Sequence, residues 1–346
     1  MRYGVSAGNP VEGALMAAGL VPGAMFEGYA PMYARALVLA TEMGMLDAIA
    51  AGSTSVDAVA DKCGTDPRAT TKLLNLLLSM GYLSRGRNGY RLAAQSRRFL
   101  TADAPSSVRD LMLMKRLEWR WIEGLDDFVR SGRPLDVHDT MDGADWQAYQ
   151  RGMRAQANVA ADLVARFVPV PRGATAMLDI GGSHGYFSVV LCRRHPRLRA
   201  TILDLPEAVE HAAPLLAREG MGDRVLLRAG DALADDLGEA RYDLIFMFSL
   251  IHHFSEEANR ELFARCAKAL RPGGILVVGD VMRPDHPGRG GQQAAFFDLY
   301  FALTSQAGLW TIDEIRSWQR EAGLRLRRAR RIPFSGGMAL LAATRD

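Results

Sequence analysis

The sequence predicts an α/β fold in which a helical half precedes a parallel sheet that ends in an antiparallel hairpin. Apolar residues recur at helical spacing through most of the chain up to residue 170, with few alternating stretches. Beyond a Pro- and Gly-rich stretch at 169–173, short apolar runs alternate with helical patterns. The chain has 346 residues, which is long enough for two domains that each bury a core.

The helical half begins with a helix predicted over Met32–Ile49. Two shorter helices follow, over Thr54–Ala60 and Asp66–Met80. A small hairpin is predicted next, between Tyr82–Ser84 and Tyr90–Leu92. Two helices followed by a short hairpin form a winged-helix pattern.

The second helix of this motif bears on whether the protein binds nucleic acid. Asp66 is its predicted N-cap, and Pro67 is its first residue. Its polar side offers only Arg68 and Lys72 as basic groups, whereas a DNA-reading helix would carry more. The formal net charge of the chain, +3, is also too small for counterion release to drive binding. We therefore expect no nucleic-acid partner and interpret the module as one for dimerisation or for lining a pocket.

The second half contains five short apolar runs that fit strands buried on both faces. These runs are Ala176–Ile180, Arg199–Leu203, Val225–Ala229, Tyr242–Phe248 and Ile275–Val281. Helical patterns between them predict right-handed βαβ units and a parallel sheet. The last two strands, Leu324–Ile332 and Gly337–Thr344, are separated by too few residues for a crossover helix. They are therefore predicted to pair as an antiparallel hairpin.

Composition excludes several classes of protein. Hydrophobic residues make up 49% of the chain and charged residues 23%, as in ordinary globular proteins. Cys63, Cys192 and Cys266 are widely spaced and form no zinc-binding pattern, so we expect a reducing, cytoplasmic location and no metal. No apolar run is long enough to span a bilayer. The N-terminal stretch is interrupted by Glu12 and makes a poor signal peptide, so we expect no membrane partner.

Three acidic residues follow or end neighbouring strands and point to a nucleoside site. Asp179 precedes a glycine turn, Gly181–Gly185, which runs straight into a helix. Asp204 ends the next strand, where a carboxylate can accept hydrogen bonds from ribose hydroxyls, and Asp231 follows the third strand. Three carboxylates in one crevice would repel a pyrophosphate and favour a cationic, phosphate-free nucleoside. S-adenosylmethionine fits this description, because it carries an ammonium and a sulfonium.

Two histidines follow the fourth strand on the same edge of the sheet. His252 and His253 precede a helix that Ser255 is predicted to cap. Histidine is well suited to take a proton near neutral pH. Asp280, at the end of the fifth strand, is placed to orient the imidazole of His252. The pattern therefore predicts proton transfer beside the nucleoside site.

At these residues the sequence resembles the two-domain, S-adenosylmethionine-dependent small-molecule O-methyltransferases of the caffeic-acid and hydroxyneurosporene type. The segment His252-His-Phe-Ser-Glu-Glu257 is similar to the family's His-Asp-Trp-Ser-Asp-Glu, and Leu270-Arg-Pro-Gly-Gly274 matches as well. The resemblance implies a Rossmann-like seven-stranded methyltransferase sheet with a terminal antiparallel hairpin, preceded by an all-helical winged-helix dimerisation domain. It implies a dimerisation domain over 1–100, linking helices that line the substrate pocket over 101–170, and a catalytic domain over 171–346.

The resemblance also implies an enzyme of specialised metabolism and a role for individual residues in its active site. His252 would be the general base, with Asp280 as its partner. The implied cofactor-binding residues are Asp179, Gly181, Gly182, Gly185, Asp204, Leu205, Asp231, Ala232 and Phe248. The expected walls for an aromatic or polyketide-like acceptor are Trp146, Tyr149, Met153, His253, Phe297, Tyr300 and Phe301. The methyl donor would leave as S-adenosylhomocysteine, and the protein would be a homodimer through its N-terminal domain.

Departures from the family pattern keep other interpretations open. The glycine turn reads Gly-Gly-Ser-His-Gly, so Ser183 takes a position where the family prefers glycine. His253 replaces the acid that usually follows the catalytic histidine, and Asp280 is the one orienting carboxylate that remains. His253 therefore stays a candidate to share the role of base. One alternative is a family member with non-methylating chemistry, such as decarboxylation, hydroxylation or a pericyclic rearrangement. A second alternative is methylation of a carbon or nitrogen atom. A third is a winged-helix regulator that senses a small molecule.

Overall fold

A computed structural model of the protein describes residues 7–286, 291–333 and 335–346. The chain divides into two compact units, one that ends at Lys115 and one that runs from Arg116 to Asp346. In the described parts of the chain, no helix is both long enough and apolar enough to cross a membrane.

The N-terminal unit is helical apart from one small hairpin. Its helices are α1 (Pro10–Ala17), α2 (Gly23–Glu27), α3 (Ala30–Glu42), α4 (Met45–Ala50), α5 (Val56–Cys63) and α6 (Pro67–Ser79). They are followed by β1 (Leu83–Gly86), β2 (Gly89–Leu92), α7 (Ala94–Phe99) and α8 (Arg109–Ile122), whose residues the two units share. β1 and β2 pair antiparallel, which confirms the predicted winged-helix pattern.

The single helix predicted over Met32–Ile49 is wrong. Gly44 adopts a left-handed conformation, with φ of 72°, and separates α3 from α4. A residue with positive φ cannot continue a right-handed helix, and glycine reaches that conformation without a steric penalty. By contrast, Asp66 caps α6 as predicted, since its Oδ1 accepts a hydrogen bond of 2.8 Å from the amide of Ala69.

The second unit is built on one large sheet. Its first elements are α9 (Leu125–Ser131), α10 (Val137–Thr140), α11 (Gly143–Ala165), β3 (Ala176–Ile180), α12 (Tyr186–Arg194), β4 (Arg199–Asp204), α13 (Pro206–Ala217) and β5 (Val225–Ala229). Those that follow are β6 (Tyr242–Phe248), α14 (Glu256–Ala269), β7 (Leu270–Val281), α15 (Gly291–Thr304), α16 (Ile312–Glu321), β8 (Arg325–Leu326), β9 (Arg330–Arg331) and β10 (Met338–Thr344).

The strand order of the sheet is β5-β4-β3-β6-β7-β10-β8. The first five strands are parallel, and β10 pairs antiparallel with β7. From β3 the chain adds β4 and then β5 on one side, and it adds β6 and then β7 on the other side. The direction in which strands are added therefore reverses at β3. In an open α/β sheet, this reversal opens a crevice at the carboxyl ends of the strands.

The terminal hairpin differs in detail from its prediction. The strand expected over Leu324–Ile332 is reduced to β8 and β9, which both pair antiparallel with β10 along its outer edge. Together they occupy the seventh strand position. All five arginines in 325–331 are exposed, and three of them lie on these two pieces, as suits an edge that should not pair with another sheet.

Two hydrophobic cores lie on opposite faces of the sheet. On one face, Phe246 and Ile202 pack with residues of α11 and α12. On the other face, Leu178 and Val278 pack with residues of α14 and α16. The sheet is thus covered by helices on both sides, which explains why its central strands read as continuous apolar runs.

Candidate active site

A cavity opens at the carboxyl ends of the parallel strands and encloses about 240 Å³. Many of the residues predicted from the sequence line it. They are Trp146, Tyr149, Met153, Asp179, Gly181, Gly182, Asp204, Leu205, Asp231, Ala232, Phe248 and His253. The crevice expected from the strand order is therefore present, and the predicted carboxylates converge on it.

The glycine positions of the turn after β3 leave no room for a Cβ atom. A Cβ on Gly182 would lie 2.6 Å from the carboxyl carbon of Asp179, and one on Gly185 would lie 2.5 Å from Ile202. Gly185 does not line the cavity but caps α12 with a φ of 74°. Ser183 has a φ of 50°, a strained value for a residue with a side chain. Such strain persists only where surrounding contacts fix the backbone.

Asp204 supplies one of those contacts. Its Oδ2 accepts a hydrogen bond of 2.7 Å from the amide of Ser183, and its Oδ1 accepts one of 2.8 Å from the amide of Leu205. Each carboxylate oxygen has a second lone pair, so Asp204 retains the capacity to accept from a ligand.

Burial is the largest influence on the pKa values of the two cavity-lining carboxyl groups, Asp204 and Asp179. It raises the pKa of Asp204 to about 6, although the two backbone hydrogen bonds oppose the shift. It raises the pKa of Asp179 to about 7, against a hydrogen bond of 2.6 Å that the hydroxyl of Ser188 donates. Two desolvated carboxyl groups of this kind are costly to ionise together unless a positive charge lies between them. The cavity is therefore suited to a cation, and no Lys or Arg lies among its described lining residues.

His252 and Asp280 form a buried pair next to the cavity. Nδ1 of His252 lies 2.9 Å from Oδ2 of Asp280 and 3.1 Å from Oδ1. Both residues are only 2% exposed, and the amide of Val281 donates to Oδ1 of Asp280. Because the carboxylate faces Nδ1, the imidazole presents Nε2 as its remaining nitrogen. Asp280 therefore holds the imidazole of His252 in one orientation.

The ring of His252 is covered by an aromatic side chain. Phe301 stacks on it with 3.6 Å between ring centroids and 20° between planes, and Phe297 stacks on Phe301 in turn. Neither of these residues, nor Tyr300, nor His252 itself, belongs to the cavity lining. Of the predicted aromatics of α15, Phe301 thus contacts both histidines, and Phe297 and Tyr300 pack against Phe301, whereas the predicted aromatics of α11 line the cavity.

His253 lies on the cavity wall, beside His252. The ring centroids of the two histidines are 4.3 Å apart, and Nδ1 of His253 is 2.7 Å from the hydroxyl of Ser305. Burial, with smaller contributions from His252 and His138, lowers the pKa of His253 well below its usual value. His253 is therefore neutral at physiological pH.

The loop that carries the histidines is fixed by side chains from two helical regions. Trp310, which precedes α16, donates from Nε1 to the carbonyl of Ile251 over 3.0 Å. Asn259 in α14 donates to the same carbonyl over 2.9 Å and to that of Phe254. Both side chains thus hold the backbone beside His252.

Sequence reasoning missed several polar residues of the cavity wall, among them His138 and Gln150. His138 in α10 lies 4.9 Å from His253 and 5.5 Å from Trp146 between ring centroids, and burial lowers its pKa to about 4. Gln150 in α11 is 1% exposed and contacts the glycine turn. The sequence offered one signal for Gln150, a glutamine on the buried face of a helix. It offered none for His138, because no motif surrounds that residue.

The match to known families agrees with this geometry. Residues 130–325 match an O-methyltransferase domain, and residues 29–102 match an O-methyltransferase dimerisation domain. The chain therefore belongs to the O-methyltransferase family, and it is an enzyme of the S-adenosylmethionine-dependent class. The family, the fold class and the enzyme class predicted from the sequence are confirmed.

Individual relatives are distant but extend over most of the chain. A 3-hydroxy-5-methyl-1-naphthoate 3-O-methyltransferase from Streptomyces sahachiroi is 26% identical, covering 89% of this chain and 91% of its own length. An aclacinomycin 10-hydroxylase from Streptomyces purpurascens is 27% identical, covering 84% of this chain and 81% of its own. The solved structure of human N-acetylserotonin methyltransferase has the same fold, with a TM-score of 0.84 at 20% identity and 99% coverage of both chains.

Proposed function

We propose that this enzyme methylates a hydroxyl group of an aromatic or polyketide-like small molecule, with His252 as the general base. The observation that carries the proposal is the buried His252–Asp280 pair beside a cavity that Asp179, Asp204 and Asp231 line. The His252–Asp280 pair orients a proton acceptor, and the three carboxylates suit a cationic nucleoside.

The residues of the crevice fit S-adenosylmethionine as methyl donor. Asp204 would accept hydrogen bonds from the ribose hydroxyls, and Asp231 would lie on the adenine side. Gly182 lines the cavity without a side chain, so a ligand can approach its backbone, and a Cβ there would also meet Asp179. The bound donor supplies a methyl group that its sulfonium has already activated. Much of the rate enhancement should therefore come from holding the acceptor oxygen close to that methyl group.

His252 would take the hydroxyl proton of the acceptor at Nε2, since Asp280 faces Nδ1. Asp280 would then stabilise the imidazolium that forms. His253 is the second candidate for the proton acceptor, because it lines the cavity and lies next to His252. Its low pKa makes it a weaker base, which favours a role in binding the acceptor.

The aromatic lining of the cavity favours a flat, apolar acceptor. Its Trp, Tyr and Phe residues are Trp146, Tyr149, Phe187, Phe246, Phe248 and Phe254. The relative that methylates a hydroxynaphthoate supports the same substrate class. Incubation with S-adenosylmethionine and a panel of phenols, naphthols and hydroxyquinones should yield a product heavier by one CH₂ unit, together with S-adenosylhomocysteine. A product heavier by one oxygen atom instead would indicate hydroxylation, the activity named for one relative.

Donor binding is expected to depend on pH. In the free protein the pKa values of Asp204 and Asp179 are raised to about 6 and about 7, and a bound cation favours the ionised carboxylates. Binding therefore releases protons, and donor affinity rises with pH between about 5 and 8, by up to tenfold per unit for each proton released. Calorimetry in buffers of different ionisation enthalpy measures this release. Binding that neither releases protons nor varies with pH would contradict the assignment of a cation to this wall.

The N-terminal unit contains the dimerisation domain, and we propose that it forms a homodimer. We assign dimerisation to residues 1–100, pocket lining to 101–170 and catalysis to 171–346. Large apolar side chains in and between the first helices are exposed, among them Val11 at 70%, Leu20 at 71% and Met32 at 67%. Surfaces of this kind favour a partner. Light scattering should give a mass near twice the 37.9 kDa of one chain, and a mass of one chain would contradict the dimer.

We also propose a cytoplasmic location. Cys63, Cys192 and Cys266 are all free thiols. Burial raises the pKa of Cys192 to about 11 and that of Cys266 to about 12, so both act as apolar core residues. A reducing compartment suits three unpaired cysteines.

A further inference from the structure

Gln150 has half of its amide engaged and the other half without a partner. Its Oε1 accepts a hydrogen bond of 2.7 Å from the hydroxyl of Ser183. Its Nε2 has no hydrogen-bond partner, although the residue is only 1% exposed. Gln150 lines the cavity from α11. A buried amide nitrogen without an acceptor is costly, so a ligand that supplies one would be bound more tightly.

The charge of the cavity shows which ligand group needs such a donor. The described lining carries Asp179, Asp204 and Asp231 but no Lys or Arg. These carboxylates suit the sulfonium, the ammonium and the ribose of the methyl donor. The carboxylate at the amino-acid end of the donor is an anion and finds no cation on this wall. Neutral N–H groups must therefore satisfy it.

The position of Gln150 agrees with that end of the donor. Ser183 connects the two sides of the site, because its amide donates to Asp204 and its hydroxyl donates to Gln150. Asp204 is the proposed ribose ligand, and Asp231 lies on the adenine side. The amino-acid end must lie away from the adenine, across the glycine turn, where Gln150 is the buried residue with an unpaired nitrogen.

We infer that the Nε2 group of Gln150 binds the amino-acid carboxylate of S-adenosylmethionine. The inference rests on the proposed donor site. Gln150 then has two functions through one amide: Oε1 holds the strained Ser183, and Nε2 selects a donor that carries a carboxylate.

The test compares donors with and without that carboxylate. Q150E retains an oxygen that accepts from Ser183 but replaces the amide nitrogen with a negatively charged oxygen. Q147E places the same charge on the exposed side of α11, three residues earlier and outside the cavity lining. Calorimetric titration of the dimer uses S-adenosylmethionine and its decarboxylated analogue, and thermal melting confirms that each variant folds.

We expect Q150E to weaken binding of S-adenosylmethionine by about 10- to 100-fold, the effect of losing one hydrogen bond to a charged group. Binding of the decarboxylated analogue should not weaken, because it carries only positive charges, and the exposed Q147E should bind both donors like the wild type. Q150M removes the amide without adding charge but also loses the acceptor of the Ser183 hydroxyl, so it should weaken both donors, S-adenosylmethionine by the larger factor.

Two results would overturn the inference. Equal weakening for both donors would mean that Gln150 acts only by holding Ser183. Unchanged affinity for S-adenosylmethionine in both Gln150 variants would mean that its nitrogen does not contact the ligand. If the folded wild type bound neither donor, the proposed donor site itself would be wrong, which is a separate outcome.

Discussion

Replacing His252 with alanine is expected to lower turnover by about 10²- to 10⁴-fold, the usual contribution of a positioned general base. Donor affinity should stay nearly intact, because His252 lies outside the cavity lining and pairs with Asp280. The measurement combines steady-state rates with calorimetric titration of the donor. A loss in kcat at constant donor affinity identifies a group that acts in the transition state.

The neighbouring histidine provides the matched comparison. H253F removes a cavity-lining imidazole that is neutral, so it should raise the KM of the acceptor more than it lowers kcat. D280N should reproduce most of the H252A defect, since the amide no longer stabilises an imidazolium. Turnover that is unchanged in H252A but abolished in H253F would transfer the role of base to His253.

Asp204→Ala is expected to weaken donor binding by at least about 100-fold, because two hydrogen bonds to a carboxylate are lost at once. The substitution also leaves the amides of Ser183 and Leu205 without their acceptor, so the glycine turn loses a support. Calorimetry with S-adenosylhomocysteine measures the affinity without any acceptor present.

Asp223→Ala is the control for Asp204→Ala. Asp223 is an exposed acid whose Oδ2 pairs with Arg199 over 2.8 Å, at the opposite end of the same strand pair. Its removal changes the net charge equally but should leave donor affinity within about twofold, since exposed ion pairs contribute little. Equal affinities of the two variants would remove Asp204 from the binding site.

The sequence predicted four of the five parallel strands within about a residue, because these strands are buried and therefore largely apolar. It placed β7 five residues too late, since Pro272 and two glycines concealed the start of the strand. The edge strand was the least predictable. β8 and β9 receive hydrogen bonds from one side only, so nothing in the local pattern fixes where pairing is interrupted.

The residues of the candidate site also differ in how well the sequence predicts them. Asp204, Asp231 and His252 follow strand ends, and the topology of a parallel sheet brings strand ends together. His138 and Gln150 lie on helices that cover the sheet, and their contacts with His253 and Ser183 depend on tertiary packing. The spacing of residues along the chain cannot predict such contacts.

The most direct test of the central claim is a crystal structure of the protein with S-adenosylhomocysteine. We predict that the ribose hydroxyls lie within hydrogen-bonding distance of Asp204, with the adenine on the side of Asp231 and the amino-acid end across the glycine turn. A nucleoside bound away from these carboxylates would contradict the account of the donor site and, with it, the assignment of His252 as the base beside the methyl group.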